Sequence, residues 1–206
     1  MPASSFDFNH YHERRNSLTP SMSRTHRLVL IALLTVTAAI LGYLESLLPC
    51  FIPIPGVKIG LPNIVTMISL SLFNTPIALG IAIARVLLTG FMFGSLSSIL
   101  YALAGGIISC SVMGALTHTN HQRQIQGQDA PFSLIVISII GAMTHNIGQL
   151  CIATIIVQNL RLMLLYLPFL LLIAVPIGLL TGIIARRLLP YLNRILPQKS
   201  HDKSPR

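Results

Sequence analysis

Three ionisable side chains stand within or beside long apolar stretches of the chain. Glu45, Lys58 and Arg85 are surrounded in sequence by Leu, Ile, Val and Phe, in a chain that is 53% hydrophobic and 9% charged. A charge at membrane depth costs at least ~2.5 kcal/mol, so it usually faces a bundle interior or a wet cavity and has a partner. Arg85, well inside an apolar run, favours a functional role over a purely structural ion pair. Glu45 and Lys58 lie nearer to an interface, where snorkelling towards the headgroups explains them equally well.

A second group of polar residues lies in the stretch GAMTHNIGQL, residues 141–150. On an α-helix, Gly141, His145, Gly148 and Gln149 share one face. The glycines allow another backbone or a ligand to come close, while the imidazole and the amide offer hydrogen-bond donors and acceptors side by side. Ligand binding and hydrogen bonding between helices are equally good interpretations of this face.

Prolines interrupt segment 49–62, which therefore cannot be a continuous helix. The residues responsible are Pro49, Pro53, Pro55, Pro62 and Gly56. Irregular backbone at membrane depth is tolerated only inside protein or along a water-filled cavity. The segment is either a stiff cap over a pocket or a rigid connector between helices.

Several kinds of chemistry lack their usual residues in this chain. Its five acidic residues are all separated in sequence, so no carboxylate cluster is available to hold Mg²⁺ for pyrophosphate chemistry. The sequence has no phosphate-binding loop, no dinucleotide-binding turn and no Ser-His-Asp set. Its three cysteines are scattered singly, without metal-ligand spacing. We therefore expect no catalytic residue, no metal and no cofactor in this chain.

The composition also predicts the type of secondary structure that carries these residues. Soluble domains carry about 25% charged residues, so a chain with 9% is expected to meet lipid. The sequence predicts an all-α polytopic membrane bundle of six hydrophobic segments: 28–48, 63–73, 77–93, 96–116, 132–157 and 162–185. Segment 63–73 is too short to cross about 30 Å of hydrocarbon as a straight helix. Residues 117–130 are predicted to form a polar loop, and Arg161 interrupts the apolar pattern before the last segment.

The distribution of charge gives the domain organisation and the expected orientation. Residues 1–26 are interpreted as a disordered basic cytoplasmic tail, 27–189 as the membrane domain and 190–206 as a second basic cytoplasmic tail. Most of the fourteen basic residues flank the apolar body, as cytoplasmic ends of membrane proteins do. An even number of segments agrees with this orientation. No nucleic-acid partner is expected, because no stacking aromatics accompany the basic tails.

Four separated motifs resemble one known family, labelled heptaprenyl diphosphate synthase component I and also called the Gx transporter family. The motifs are YLESLLP, PIPGVKIGLPNIVT, ARVLLTGFMFGS and GAMTHNIGQL. The resemblance runs from about Arg27 to Arg187, and the motifs occur in the family's order. Pro62 departs from it, since alanine usually precedes Asn-Ile there, and we expect this proline to start the next helix more sharply.

The family is in turn similar to the S components of energy-coupling factor (ECF) transporters, six-helix proteins that capture vitamins or related small molecules from the outer side. This implies a location in the bacterial cytoplasmic membrane, and a coupling transmembrane subunit and ATPase subunits as partners. The ligand-binding residues it implies are Lys58, Asn63, Arg85, His145, Asn146 and Gln149. Glu45 is added to these candidates because it is a charged residue within an apolar stretch. Lys58 and Arg85 favour a small-molecule ligand with anionic character, because an opposite charge best offsets their desolvation.

Two other functions remain open at this point. The chain could be a non-catalytic accessory membrane subunit of a heptaprenyl or polyprenyl diphosphate synthase in quinone side-chain biosynthesis, presenting a lipid to another chain. Prenyl elongation normally relies on Mg²⁺ held by aspartates, so the catalytic subunit would then be that other chain. Alternatively, the chain could be a structural membrane protein without a ligand.

The predicted topology can be tested with reporter fusions. Reporters joined after Pro20 and after Lys199 should both read cytoplasmic, because six segments return the chain to the side on which it started. Readings on opposite sides of the membrane would require an odd number of spans and would exclude the S-component architecture.

Overall fold

The computed structural model describes residues 23–47 and 59–195, which form six α-helices and no strand. The helices are α1 Arg24–Leu47, α2 Leu61–Leu72, α3 Thr75–Phe93, α4 Leu96–Ile125, α5 Leu134–Val157 and α6 Leu160–Ile195. Within these ranges the prediction of an all-α bundle with one short helix is confirmed. Most of the proline-rich segment lies outside the described residues.

Five of the six helices are long and apolar enough to cross a membrane, and α2 is the shorter one. Their outward faces carry large exposed apolar side chains, among them Leu33, Phe91 and Leu172, as a surface in contact with lipid does. The chain is therefore a multi-pass membrane protein.

The short helix α2 lies at the centre of the bundle and packs against each of the other five helices. Its residues are buried almost without interruption from Pro62 to Leu72. Gly60 precedes the helix with a φ of 78°, a left-handed conformation that favours glycine. Pro62 follows in the first turn of the helix. N–H groups in the first turn have no acceptor within the helix, so the missing N–H of proline costs no hydrogen bond there. Together, these two residues start α2 abruptly inside the protein.

The Glu45–Gly60 contact places the end of α1 beside the start of α2, and short connections join the later helices. Consecutive helices therefore run in opposite directions, and the start of α1 and the end of α6 lie on the same end of the bundle. The turn between α3 and α4 lies at the opposite end. The longest connection after residue 59, between α4 and α5, is fixed by Asn120, which is fully buried. Its Nδ2 donates to the Phe132 carbonyl at 2.6 Å, and its Oδ1 accepts from the Phe132 N–H at 3.1 Å.

The prediction of a polar loop over residues 117–130 is wrong in most of its length. Helix α4 continues to Ile125 and so includes the first nine residues of that loop. Hydropathy marks where the helix leaves an apolar environment, whereas the helix itself persists until a residue ends it. In this stretch the first glycine or proline is Gly127, which has a φ of 73°.

The end and the start of the last segment also differ from the sequence prediction. Helix α5 ends before Gln158, whose φ is 52°, and α6 begins at Leu160, so Arg161 lies in its first turn. Helix α6 then runs 36 residues to Ile195, beyond the predicted end at residue 185. It contains three prolines, which neighbouring helices can accommodate in a membrane protein. The assignment of residues 190–206 to a tail remains a prediction.

Helices α5 and α6 approach closely where α6 carries glycine. A Cβ built on Gly178 would lie 2.5 Å from the Ile139 Cα and 3.1 Å from the Ser138 carbonyl oxygen. Next to this contact, the Ser138 and Thr181 hydroxyl oxygens are 2.9 Å apart and share a hydrogen bond. Small residues at helix crossings let backbones pack tightly in membranes, where water supplies no driving force for helix association.

This crossing predicts that Gly178→Ala destabilises the protein. The added methyl group meets backbone atoms, so the helices must separate, at a cost of about 1–3 kcal/mol. The measurement is the apparent melting temperature in detergent, which should fall by several degrees. Gly106→Ala is the matched control, because a Cβ there meets nothing within 4 Å and both glycines are buried in helices. An equal loss in both variants would contradict the role of the crossing.

Candidate functional site

A cavity of about 510 Å³ opens in the half of the bundle that lies away from Arg24 and Ile195. It reaches the turn between α3 and α4, since Phe93, Gly94 and Ser95 contribute to its wall. All six helices supply lining residues. Gly60, Pro62 and Asn63 are among the lining residues, so the cavity lies at the start of α2.

The structure brings most of the predicted site residues together. The following side chains line the cavity: Glu45, Asn63, Arg85, His145, Asn146 and Gln149. They come from α1, α2, α3 and α5, so the fold collects residues that are far apart in sequence. Lys58, the seventh candidate, lies outside the described residues.

Arg85 occupies a position on α3 that helical periodicity otherwise reserves for apolar residues. The buried residues of this helix repeat at the spacing of one core-facing stripe: Ala78, Ile81, Ala82, Arg85 and Val86. Arg85 is only 8% exposed. Its Nε is buried and has no hydrogen-bond partner among the described residues. The helix therefore delivers a guanidinium to the cavity wall near mid-bundle with part of its hydrogen-bonding capacity unused.

Glu45 joins α1 to the start of α2. The side chain is 9% exposed, and its Oε1 accepts the N–H of Gly60, the residue that caps α2. A carboxylate is favoured at a helix N-terminus by the unsatisfied N–H groups and the helix dipole. The same carboxylate is the acidic group whose charge acts on Arg85. Glu45 thus contributes to the position of α2 and to the electrostatics of the cavity.

The polar face of α5 is placed by glycine contacts with α4. A Cβ on Gly148 would lie 2.9 Å from the Ala104 carbonyl oxygen, and one on Gly105 would lie 2.8 Å from the His145 carbonyl oxygen. This close packing holds His145 and its neighbours at the cavity wall. The Nδ2 of Asn146 donates to the Leu170 carbonyl at 3.0 Å, which fixes the orientation of this amide against α6.

An aromatic pair in the cavity wall was not predicted from the sequence. The rings of Tyr43 on α1 and Phe93 on α3 have centroids 4.2 Å apart and planes inclined by 32°. Tyr43 is half-buried and Phe93 is exposed. A contact between aromatic residues on different helices leaves no signal in a single sequence. The one available hint was that Tyr43 stands two residues before Glu45.

The described part of this wall combines ionisable, amide and apolar groups. Among the described residues it offers one guanidinium, one carboxylate, one imidazole and three amides, interleaved with apolar side chains such as Val86, Ile99 and Ile177. In residues 23–47 and 59–195, no group of three or more His, Cys, Asp or Glu side chains is arranged to hold a metal ion.

Six apolar helices around a polar cavity define a multi-pass helical membrane protein with an internal cavity. Residues 34–188, most of the chain, match the model of the family described as heptaprenyl diphosphate synthase component I, and the chain belongs to this family. Comparisons with curated proteins and with solved structures gave no match.

The contact between Glu45 and Gly60 predicts a difference between two substitutions. Glu45→Leu removes the acceptor of a partly buried N–H, and an unsatisfied group of this kind costs about 1–3 kcal/mol. Glu45→Gln retains an oxygen in the same place. The melting temperature in detergent should therefore fall clearly for Glu45→Leu and much less for Glu45→Gln. If both variants melt alike, the hydrogen bond to Gly60 does not stabilise the start of α2.

Proposed function

We propose that this protein is the substrate-binding membrane subunit of a small-molecule uptake transporter, of the type represented by ECF S components. Separate coupling and ATPase subunits energise transport, because the chain carries no phosphate-binding loop of its own. The observation that carries the proposal is the buried Arg85 guanidinium in the wall of a 510 Å³ cavity that all six helices line.

Cavity size and lining support a binding function. Small-molecule sites occupy about 300–1,000 Å³ and combine a mostly apolar wall with a few polar groups that fix orientation. Here Arg85 is assigned to an anionic group of the ligand. Asn63, Asn146 and Gln149 are assigned to its neutral hydrogen-bonding groups, with His145 beside them. An ionisable residue held inside a membrane bundle is by default a functional one, since its burial opposes stability.

The position of the cavity supports uptake from outside. Basic residues lie at the end of the bundle that carries both described chain ends, among them Arg24, Arg27, Arg186 and Arg187. The positive-inside rule assigns this end to the cytoplasm of a bacterial cell. The cavity lies in the other half and therefore faces the outer side in this proposal.

The accessory role in prenyl diphosphate synthesis stays as the second candidate function. The observation that favours it is the description of the family, which implies a partner synthase component. In that role, the cavity would hold part of a prenyl substrate or product while another chain performs the reaction. The two functions differ in the partner recovered with the tagged protein from membranes: coupling and ATPase subunits in one case, a synthase chain in the other.

The binding function predicts that Arg85→Met folds but loses its ligand. Hydrogen bonds to charged groups contribute about 1.5–3 kcal/mol, so retention of the native compound should fall about tenfold or more. The measurement is mass spectrometry of small molecules that co-purify in detergent, beside a thermal melt. Arg161→Met is the matched control, because it removes the same charge from an exposed position outside the cavity.

A purely structural Arg85 would give a different pattern. Arg85→Leu would then remove the positive charge that acts on the buried Glu45 and lower the melting temperature, and a second change, Glu45→Gln, would restore much of it. Normal ligand retention by a folded Arg85→Met protein would remove Arg85 from the site.

A further inference from the structure

The geometry points to a more specific ligand for this cavity: a small organic carboxylate with a single negative charge and no phosphate group. This inference rests on the proposed binding function and names the chemical class of its ligand. Two ionisable residues of the wall, Arg85 and Glu45, limit the charge of the ligand from opposite sides.

Arg85 sets the lower limit on the negative charge of the ligand. Its guanidinium stays protonated at any physiological pH, so burial cannot be relieved by loss of the proton. The side chain is 8% exposed, lines the cavity and has a buried Nε without a partner in the described part of the chain. Glu45 offsets part of this charge, but a neutral ligand would bring no anionic acceptor to the buried Nε. A carboxylate supplies two oxygens in one plane and matches the planar donor fork of the guanidinium.

Glu45 sets the upper limit on the negative charge of the ligand. Its carboxylate lines the same cavity, is 9% exposed and acts electrostatically on Arg85. A diphosphate would bring several negative charges close to this carboxylate, where the low dielectric strengthens repulsion. Within the described part of the wall, Arg85 is the only Lys or Arg side chain. In this described part of the wall, a guanidinium next to a carboxylate suits one negative charge better than the several charges of the diphosphate named in the family's description.

The other lining residues indicate the chemistry of the uncharged part of the ligand. Asn63, Asn146 and Gln149 present uncharged donors and acceptors. The Asn146 Nδ2 gives one of its two hydrogens to the Leu170 carbonyl, which leaves its other N–H and its Oδ1 for the ligand. The Tyr43–Phe93 pair adds aromatic surface in the same cavity. A flat, partly apolar body with neutral hydrogen-bonding groups fits these contacts.

The test uses the full chain purified in detergent as wild type, Arg85→Met, Arg85→Lys and Arg161→Met. Retained compounds are identified by mass spectrometry before and after methylation of carboxyl groups. In a parallel arm, geranyl diphosphate is added as a probe and the melting temperature is recorded. We expect a phosphorus-free compound that gains one methyl ester. Its retention should be about tenfold or more lower in Arg85→Met than in Arg161→Met, and geranyl diphosphate should not shift the melting temperature.

Arg85→Lys covers the case in which Arg85→Met does not fold. It keeps the positive charge but lacks the planar fork, so it should fold and still retain less of the compound than Arg161→Met. A phosphorus-containing, neutral or cationic compound retained through Arg85 would overturn the carboxylate inference and leave the binding function standing. A rise in melting temperature with geranyl diphosphate that Arg85→Met abolishes would do the same. If no retained compound depends on Arg85, both the inference and the proposed function fail.

Discussion

Holding a guanidinium inside a bundle of apolar helices is the constraint that orders the rest of this structure. Arg85 stands on the inward stripe of α3, where it cannot reach the headgroups and cannot lose its charge. The helices therefore enclose a polar space around it instead of closing into a continuous apolar core. The core cluster of buried apolar residues lies largely in the other half of the bundle, around α2 and residues such as Met113 and Ile137.

The polar space exists because α2 is short and because the surrounding helices pack closely elsewhere. Gly60 and Pro62 start α2 inside the bundle, and Glu45 accepts the N–H of Gly60, the residue before the helix. Glycines bring α4 against α5 and α5 against α6 to distances that a side chain would prevent. Tight crossings on one side and a truncated central helix on the other together leave a defined cavity within a stable bundle.

The sequence predicts the number and type of the helices well, because apolar length is set by the thickness of a membrane. It also singles out Arg85, since a charge inside an apolar run is conspicuous without any structure. Helix ends were predicted poorly for α4 and α6, because these helices continue into polar residues that hydropathy assigns to loops. The contact between Glu45 and Gly60 and the pairing of Tyr43 with Phe93 depend on which helices become neighbours. A single sequence carries no information on that choice.

The lengths of α4 and α6 have a mechanical consequence. At 1.5 Å per residue, their 30 and 36 residues extend about 45 Å and 54 Å, whereas the hydrocarbon core is about 30 Å thick. Both helices finish at the end of the bundle that is remote from the cavity, and both also carry residues of the cavity wall. A change in their tilt at that end would therefore also move the cavity wall, because each helix turns about its glycine-packed crossing with α5.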